Sequence, residues 1–212
     1  DTGGVFAVFL RNDFAYLEAR MAADFLGAYI VATNWHQKDD EVGYILSDCE
    51  AEALIVHAGL LPQIEPGIPD GLPVYVVPTA VDLAEAYGAD ASICTVPDGR
   101  TDWGQWIEGF EPWDAPGRPP RPAIMYTSGT TGRPKGVVKQ PLKADQVEMA
   151  AKLGADTFGP RNGMVSLLCG PCYHSPLDVQ ARQGLTYDAD LIIQPRFDAE
   201  EFLALAEKYG AT

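Results

Sequence analysis

The 212-residue chain carries 30 acidic and 15 basic residues, a formal charge of −15, with 47% hydrophobic and 21% charged content. That composition fits a globular protein of one large domain or two small ones and excludes a disordered or fibrous chain. The charge excludes a general nucleic-acid binder or an anionic membrane surface as partner, since both require a positive field, and no apolar run approaches the ~20 residues of an integral membrane helix.

In chain order, "VFAVFL" (Val5 to Leu10) is a buried-strand run. Asn12 and Asp13 can cap the helix that follows, where Phe14, Leu17, Met21 and Phe25 recur at helical spacing toward a stop at Gly27. "AYIVAT" predicts the next strand and "DDEVGYILSDCE" a second helix, with acids in its first turn where the helix dipole favours them. "EALIVH" and "PVYVVP" are further strands. Strands alternating with helices predict an α/β fold, layered, with a mostly parallel sheet.

"GFEPWDAPGRPPRPA" (Gly109 to Ala123) holds five prolines and cannot be regular helix or central strand. It is a covering loop or a connector, and it marks a possible subdivision near residues 110–122. Beyond it come a strand at "AIMY", a glycine-rich loop, a return to extension at "VV", and a long helix in "LKADQVEMAAKLGADTF". Strands at "GMVSLLCG" and "DADLIIQP" and a helix capped by Asp198 and stopped by Gly210 complete the chain. The aromatic residues Trp103, Trp106, Phe110 and Trp113 read as core or loop anchors rather than a platform for bases, given the net charge.

The loop "YTSGTTGRPKGVV" (Tyr126 to Val138) is the most informative stretch. Glycines let backbone N–H groups face an anion closely, and Thr127, Ser128, Thr130 and Thr131 add hydroxyl donors. Arg133 and Lys135 supply charge. No Asp or Glu occurs from Ala115 to Ala144, a stretch that holds six of the 15 cations. Neither the P-loop nor the dinucleotide pattern fits, because Pro134 precedes Lys135 and Gly136 follows it. The alternatives at this point are a phosphate loop and a polar connector.

Tyr126 to Val137 resembles, residue for residue, the signature loop of the adenylate-forming superfamily of acyl-CoA synthetases, luciferases and peptide-synthetase adenylation domains. "GAYIVATNWHQKDDEVGYILSDCEAEALIVHAG", "PCYHSP" and "PRFDAEEFLALAEKYGAT" resemble other parts of the same large amino-terminal domain. The resemblance implies a two-step ligase. A carboxylic acid attacks the α-phosphate of ATP, with Mg2+, giving acyl-adenylate and pyrophosphate, and coenzyme A then takes the acyl group. By position, Thr127, Ser128, Gly129, Thr130, Thr131, Gly132 and Lys135 would hold the β- and γ-phosphates, with Lys135 and Thr131 catalytic. No residue is assigned to a metal.

His174 would line the passage between acyl and thiol pockets, or else be a hydrogen-bonded core histidine. His36 and His57 read as structural. "ATNWHQKDDEVGYIL" is closest in look to the fatty-acyl branch. Residues 176–189, "PLDVQARQGLTYDA", depart from the small apolar run usual there. The family's adenine-contacting motif, ribose aspartate and mobile carboxy-terminal domain correspond to sequence beyond Thr212, so residues 1–212 alone are expected not to turn over. A non-catalytic nucleotide binder is one alternative. Another is a thioredoxin-like protein acting through "CGPC", Cys169 to Cys172, in which a low-pKa thiolate would open a helix. Four cysteines without framework spacing and an amino terminus without a secretory signal point to the cytoplasm.

Overall fold

The computed structural model describes residues 3–127, 133–139 and 143–211. Its first half is a run of short alternating elements: β1 (Val5–Phe9), α1 (Phe14–Leu26), β2 (Tyr29–Ala32), α2 (Asp39–Asp48), β3 (Ala53–His57), α3 (Leu61–Ile64), β4 (Val74–Val77), α4 (Val81–Ala86), β5 (Thr101–Asp102) and α5 (Trp103–Glu108). The five strands form one sheet in the order β2-β1-β3-β4-β5, every pair parallel. Alternate residues of β1 divide between its two faces. Val8 joins a core with α1 and Trp103, while Ala7 and Phe9 pack with Val42, Ile45 and Leu46 of α2 and with Leu61 and Ile64 of α3. Burial on both faces explains why β1, β2 and β3 read as continuous apolar runs.

The second half adds β6 (Met125–Thr127), β7 (Lys135–Val137), α6 (Ala144–Phe158), β8 (Val165–Leu168), α7 (Ser175–Thr186), β9 (Asp190–Ile193) and α8 (Ala199–Tyr209). β6 and β7 form an antiparallel ribbon, and β8 and β9 a parallel pair. Ile124, at the root of the ribbon, bridges Val31 in parallel sense, so the ribbon extends from the β2 edge of the large sheet. Leu168, Cys172 and Ala181 share the core beneath α1, which fastens the β8–β9 layer to the first sheet.

One expectation is corrected. Phe14 is 67% and Phe25 52% exposed, and of the Phe14, Leu17, Met21, Phe25 stripe only Leu17 is buried. The inner face of α1 is Tyr16, Ala19, Arg20 and Ala23. Two alanines let the helix approach its neighbours closely. Arg20 is tolerated inside because it donates to Asp24 Oδ1 at 2.6 Å and the Arg121 carbonyl at 2.9 Å, and its Nε lies 3.6 Å from Asp178. Gly27, at φ 60°, closes the helix in the left-handed region. The proline-rich segment lies against this end, with Arg118 N donating to the Phe25 carbonyl at 2.8 Å. Of the aromatic anchors, Trp103 is buried and donates from Nε1 to Glu18 at 2.8 Å, whereas Trp106, Phe110 and Trp113 are exposed.

Candidate functional site

Parallel α/β sheets place their ligand crevices at the carboxyl ends of strands, because the crossover helices cover both faces. Here those ends carry Arg11–Asp13 after β1, Thr33–Gln37 after β2, Thr127 as the last residue of β6, Cys169–Tyr173 after β8 and Gln194–Phe197 after β9. Two cavities open among them.

The first, of about 630 Å3, is lined by Thr33, Asn34, Tyr126, Thr127, Pro134 and His174, among others. It joins both flanks of the glycine-rich loop to the histidine after β8. Thr127 and Lys135 face each other as a register pair across the ribbon. Both are exposed, and Lys135 has no ion-pair partner among the described residues. Ser128, Gly129, Thr130, Thr131 and Gly132 lie outside the described residues. His174 is the exposed residue preceding α7, with its ring 4.5 Å from that of Tyr173. The core-histidine alternative is therefore excluded.

Histidine 57 is the buried one. Its Nδ1 accepts from Arg11 N at 3.1 Å and its Nε2 lies 3.0 Å from Asp13 Oδ2, a pairing that puts the proton on Nε2 and pins the turn after β1. The structural reading of His57 stands, while His36 is exposed, its ring tilted against that of Trp35 at 3.6 Å, and lines the second cavity.

The second cavity, of about 510 Å3, is lined by Asn12, Trp35, Tyr87, Cys169, Gln194 and Arg196, among others. Trp35 and Tyr173, edge to face at 6.4 Å, each line one cavity and stand between the two. Gln63 holds the Trp35 turn by donating to the carbonyls of Trp35 and Gln37, at 3.0 and 2.6 Å. Arg11 lies 3.7 Å and Arg196 5.8 Å from the centre of the Tyr87 ring. Neither guanidinium has a carboxylate partner among the described residues, Arg11 Nε is buried without a hydrogen bond, and burial lowers the pKa of Arg11. Sequence reading missed this pair. A cation directly after the first parallel strand was the one local signal, and Tyr87 and Arg196 offered none.

The "CGPC" turn is a clamped structural element. Asn12 donates to the Gly170 carbonyl at 2.7 Å and accepts from Cys172 N at 2.9 Å, and Tyr16 Oη donates to the Cys172 carbonyl at 2.8 Å. Burial, with Asp178 adding, pushes the Cys172 thiol up to about 12. All four cysteines are free, and α7 begins only at Ser175. The redox motif needs its first cysteine at a helix amino terminus, and Cys169 lies six residues ahead of α7, so no helix dipole acts on that thiol.

Fold and crevice together define a parallel α/β protein with two cavities at the carboxyl ends of its strands. Residues 1–212 match the AMP-binding enzyme family, and the chain belongs to that family. It is 30% identical over 203 residues to the long-chain-fatty-acid–CoA ligase FadD13 of Mycobacterium tuberculosis, covering 94% of this chain and 36% of that protein. It is 25% identical over 201 residues to 2-succinylbenzoate–CoA ligase of a Geobacillus species, covering 94% of this chain and 35% of that one. Among solved structures, the inhibitor-bound N-terminal domain of FACL13 from M. tuberculosis superposes with a TM-score of 0.68 at 26% identity, covering 99% of this chain and 48% of that one. ATP-bound MatB from Rhodopseudomonas palustris shares the fold at a TM-score of 0.68 and 21% identity, covering 98% and 38%. The chain thus spans little more than a third of the length of the curated relatives it matches.

Proposed function

We propose that the protein carrying this chain is an AMP-forming acid–thiol ligase, an acyl-CoA synthetase of the fatty-acyl branch. A carboxylate attacks the α-phosphorus of ATP and pyrophosphate leaves; the thiol of coenzyme A then attacks the acyl carbonyl and AMP leaves. The observation that carries this reading is the cavity shared by Thr127, Pro134 and His174, which brings the two flanks of the signature loop beside the expected acyl passage. In this reading the hydroxyls and backbone N–H groups of Thr127 to Gly132, with the Lys135 ammonium, grip the β- and γ-phosphates. Such transfers depend chiefly on positioning and charge stabilisation, which a cation-bearing loop supplies.

Mg2+ fits only as an ion that arrives with the triphosphate. Among the described residues no cluster of three or more potential ligands exists, and the carboxylate lining the cavity, Glu41, already accepts from Lys38 N at 2.9 Å. Magnesium is commonly held by one or two carboxylates plus substrate phosphates, where it neutralises phosphate charge. The second cavity supports a place for coenzyme A. Two guanidiniums without carboxylate partners, on one aromatic ring in a chain of net charge −15, suit a polyanionic thiol. Free cysteines and the use of ATP and coenzyme A support a cytoplasmic setting; among the described residues no helix is long and apolar enough to cross a membrane.

The test is ATP–pyrophosphate exchange with a panel of fatty, aryl and dicarboxylic acids. Exchange is expected with fatty acids, followed by thioester formation when coenzyme A is added. ATP protection of the loop from proteolysis, without exchange for any acid, would replace this reading with a non-catalytic nucleotide binder.

A further inference from the structure

We infer that Asp48, Tyr126, Tyr44 and Arg133 form a latch that seats the phosphate-gripping turn on α2, acting as positioning residues that do not themselves contact the phosphates. The inference rests on the phosphate reading above and adds how the turn is held.

The ribbon that presents the turn is slight. Each of its strands has three residues, and all of β7 is exposed. A two-stranded ribbon of that size is marginal by itself, so its direction must be fixed by what it leans on. Its root is held by the Ile124–Val31 bridge. Toward the tip, Tyr126 Oη donates to Asp48 Oδ2 at 2.6 Å. The other oxygen of that carboxylate accepts from Tyr44 Oη at 3.2 Å. On the far side of the turn, the Arg133 guanidinium lies 5.0 Å from the centre of the Tyr44 ring. One flank of the turn and the other therefore converge on residues four apart on the same face of α2.

Gly136 makes the first contact possible. It pairs with Tyr126 across the ribbon, and a Cβ on it would stand 2.9 Å from Tyr126 Cζ. Its hydrogen lets the phenol lie across the ribbon and reach Asp48. Burial and the Asp48 hydrogen bond both raise the pKa of Tyr126, which keeps the phenol a donor at any physiological pH.

The latch also divides the turn's cations. The composition of the loop gave Arg133 and Lys135 the same duty, and only the family resemblance set Lys135 apart. In the structure Arg133 is engaged with Tyr44, and Lys135 remains without an ion-pair partner among the described residues, available to an anion.

The experiment uses the protein expressed from its own gene. Tyr126→Phe and Asp48→Ala should each raise the KM for ATP about five- to tenfold, in keeping with loss of one hydrogen bond to a charged acceptor at a partly exposed site. The KM for the acid should stay in place. The double variant should be no worse than either single, because each already opens the latch. Asp48→Asn, which keeps an acceptor, should recover most of the loss. Trypsin cleavage after Lys135 without nucleotide gives a readout independent of turnover, and should quicken in both single variants while the urea midpoint holds. An unchanged KM for ATP and an unchanged cleavage rate, with Lys135→Ala still slowing exchange, would overturn the latch and leave the phosphate reading intact. Multiplying effects in the double variant would also overturn it. Exchange unaffected by Lys135→Ala would remove the phosphate reading, and the latch with it.

Discussion

Tyr16→Phe probes how the two sheets are fastened and how the turn ahead of His174 is held. Tyr16 is 2% exposed, and its hydroxyl shares its one proton between the Cys172 carbonyl at 2.8 Å and Asp178 Oδ1 at 3.0 Å. Phenylalanine keeps the ring packing, so no cavity opens and the cost is that of one shared, charge-assisted hydrogen bond. Such a bond contributes about 2 kcal/mol. In a domain of this size that corresponds to a fall in Tm of about 4–8 °C. The carboxylate adds a pH signature. Burial raises the Asp178 pKa while Arg20 and the Tyr16 hydrogen bond oppose the rise, so removing the phenol lifts it further. An acid raised in the folded state contributes stability that is present at low pH and lost as pH rises through its folded pKa. The deficit of the variant should therefore be larger at pH 7 than at pH 4. Urea unfolding at the two pH values, followed by tryptophan fluorescence, measures both effects. A loss below 1 kcal/mol, or a deficit equal at the two pH values, would refute the reasoning.

Lys135→Ala should slow ATP–pyrophosphate exchange at least tenfold, about 1.4 kcal/mol of transition-state stabilisation, and unchanged exchange would take the lysine out of the mechanism. The Cys172 thiol, raised from an ordinary value near 9 to about 12, contributes stability that is complete below the lower value and lost as pH rises toward the upper one. By pH 10 the loss is on the order of 1 kcal/mol, and Cys172→Ala should flatten that part of the stability profile. Arg11→Ala combined with Arg196→Ala should raise the KM for coenzyme A about tenfold while pyrophosphate exchange continues unaltered, and a loss of exchange would contradict the assignment of the second cavity.

Four of the five strands of the large sheet were legible because their burial is local information, an apolar run such as Val5 to Phe9 marking a strand buried on both faces, whereas the two-residue β5 left no such run. Helix α8 was legible for a similar reason, with Asp198 accepting from Glu200 N and Glu201 N and Gly210 closing the end at φ 61°. The inner face of α1 was not, because Arg20 turns inward only where the Arg121 carbonyl and Asp178, far along the chain, receive it. Helix α7 escaped notice because its sequence is polar and contains Gly184. It packs tightly enough on β9 that a Cβ there would stand 2.3 Å from Leu191 Cδ2. At the site, chemistry carried by one short stretch could be read, and so Thr127, Lys135 and His174 were named in advance. Chemistry assembled from distant stretches could not. Asp48 meets Tyr126, and Arg11 meets Arg196, only after the chain has folded.

That last pairing bears on how the molecule responds to its ligands. Arg11 belongs to the first layer and Arg196 to the second, and each leans on the ring of Tyr87 while repelling the other's charge. Coenzyme A seated there as proposed would bridge the two like charges and rivet one layer to the other, so that filling the cleft and locking the layers would be a single thermodynamic event.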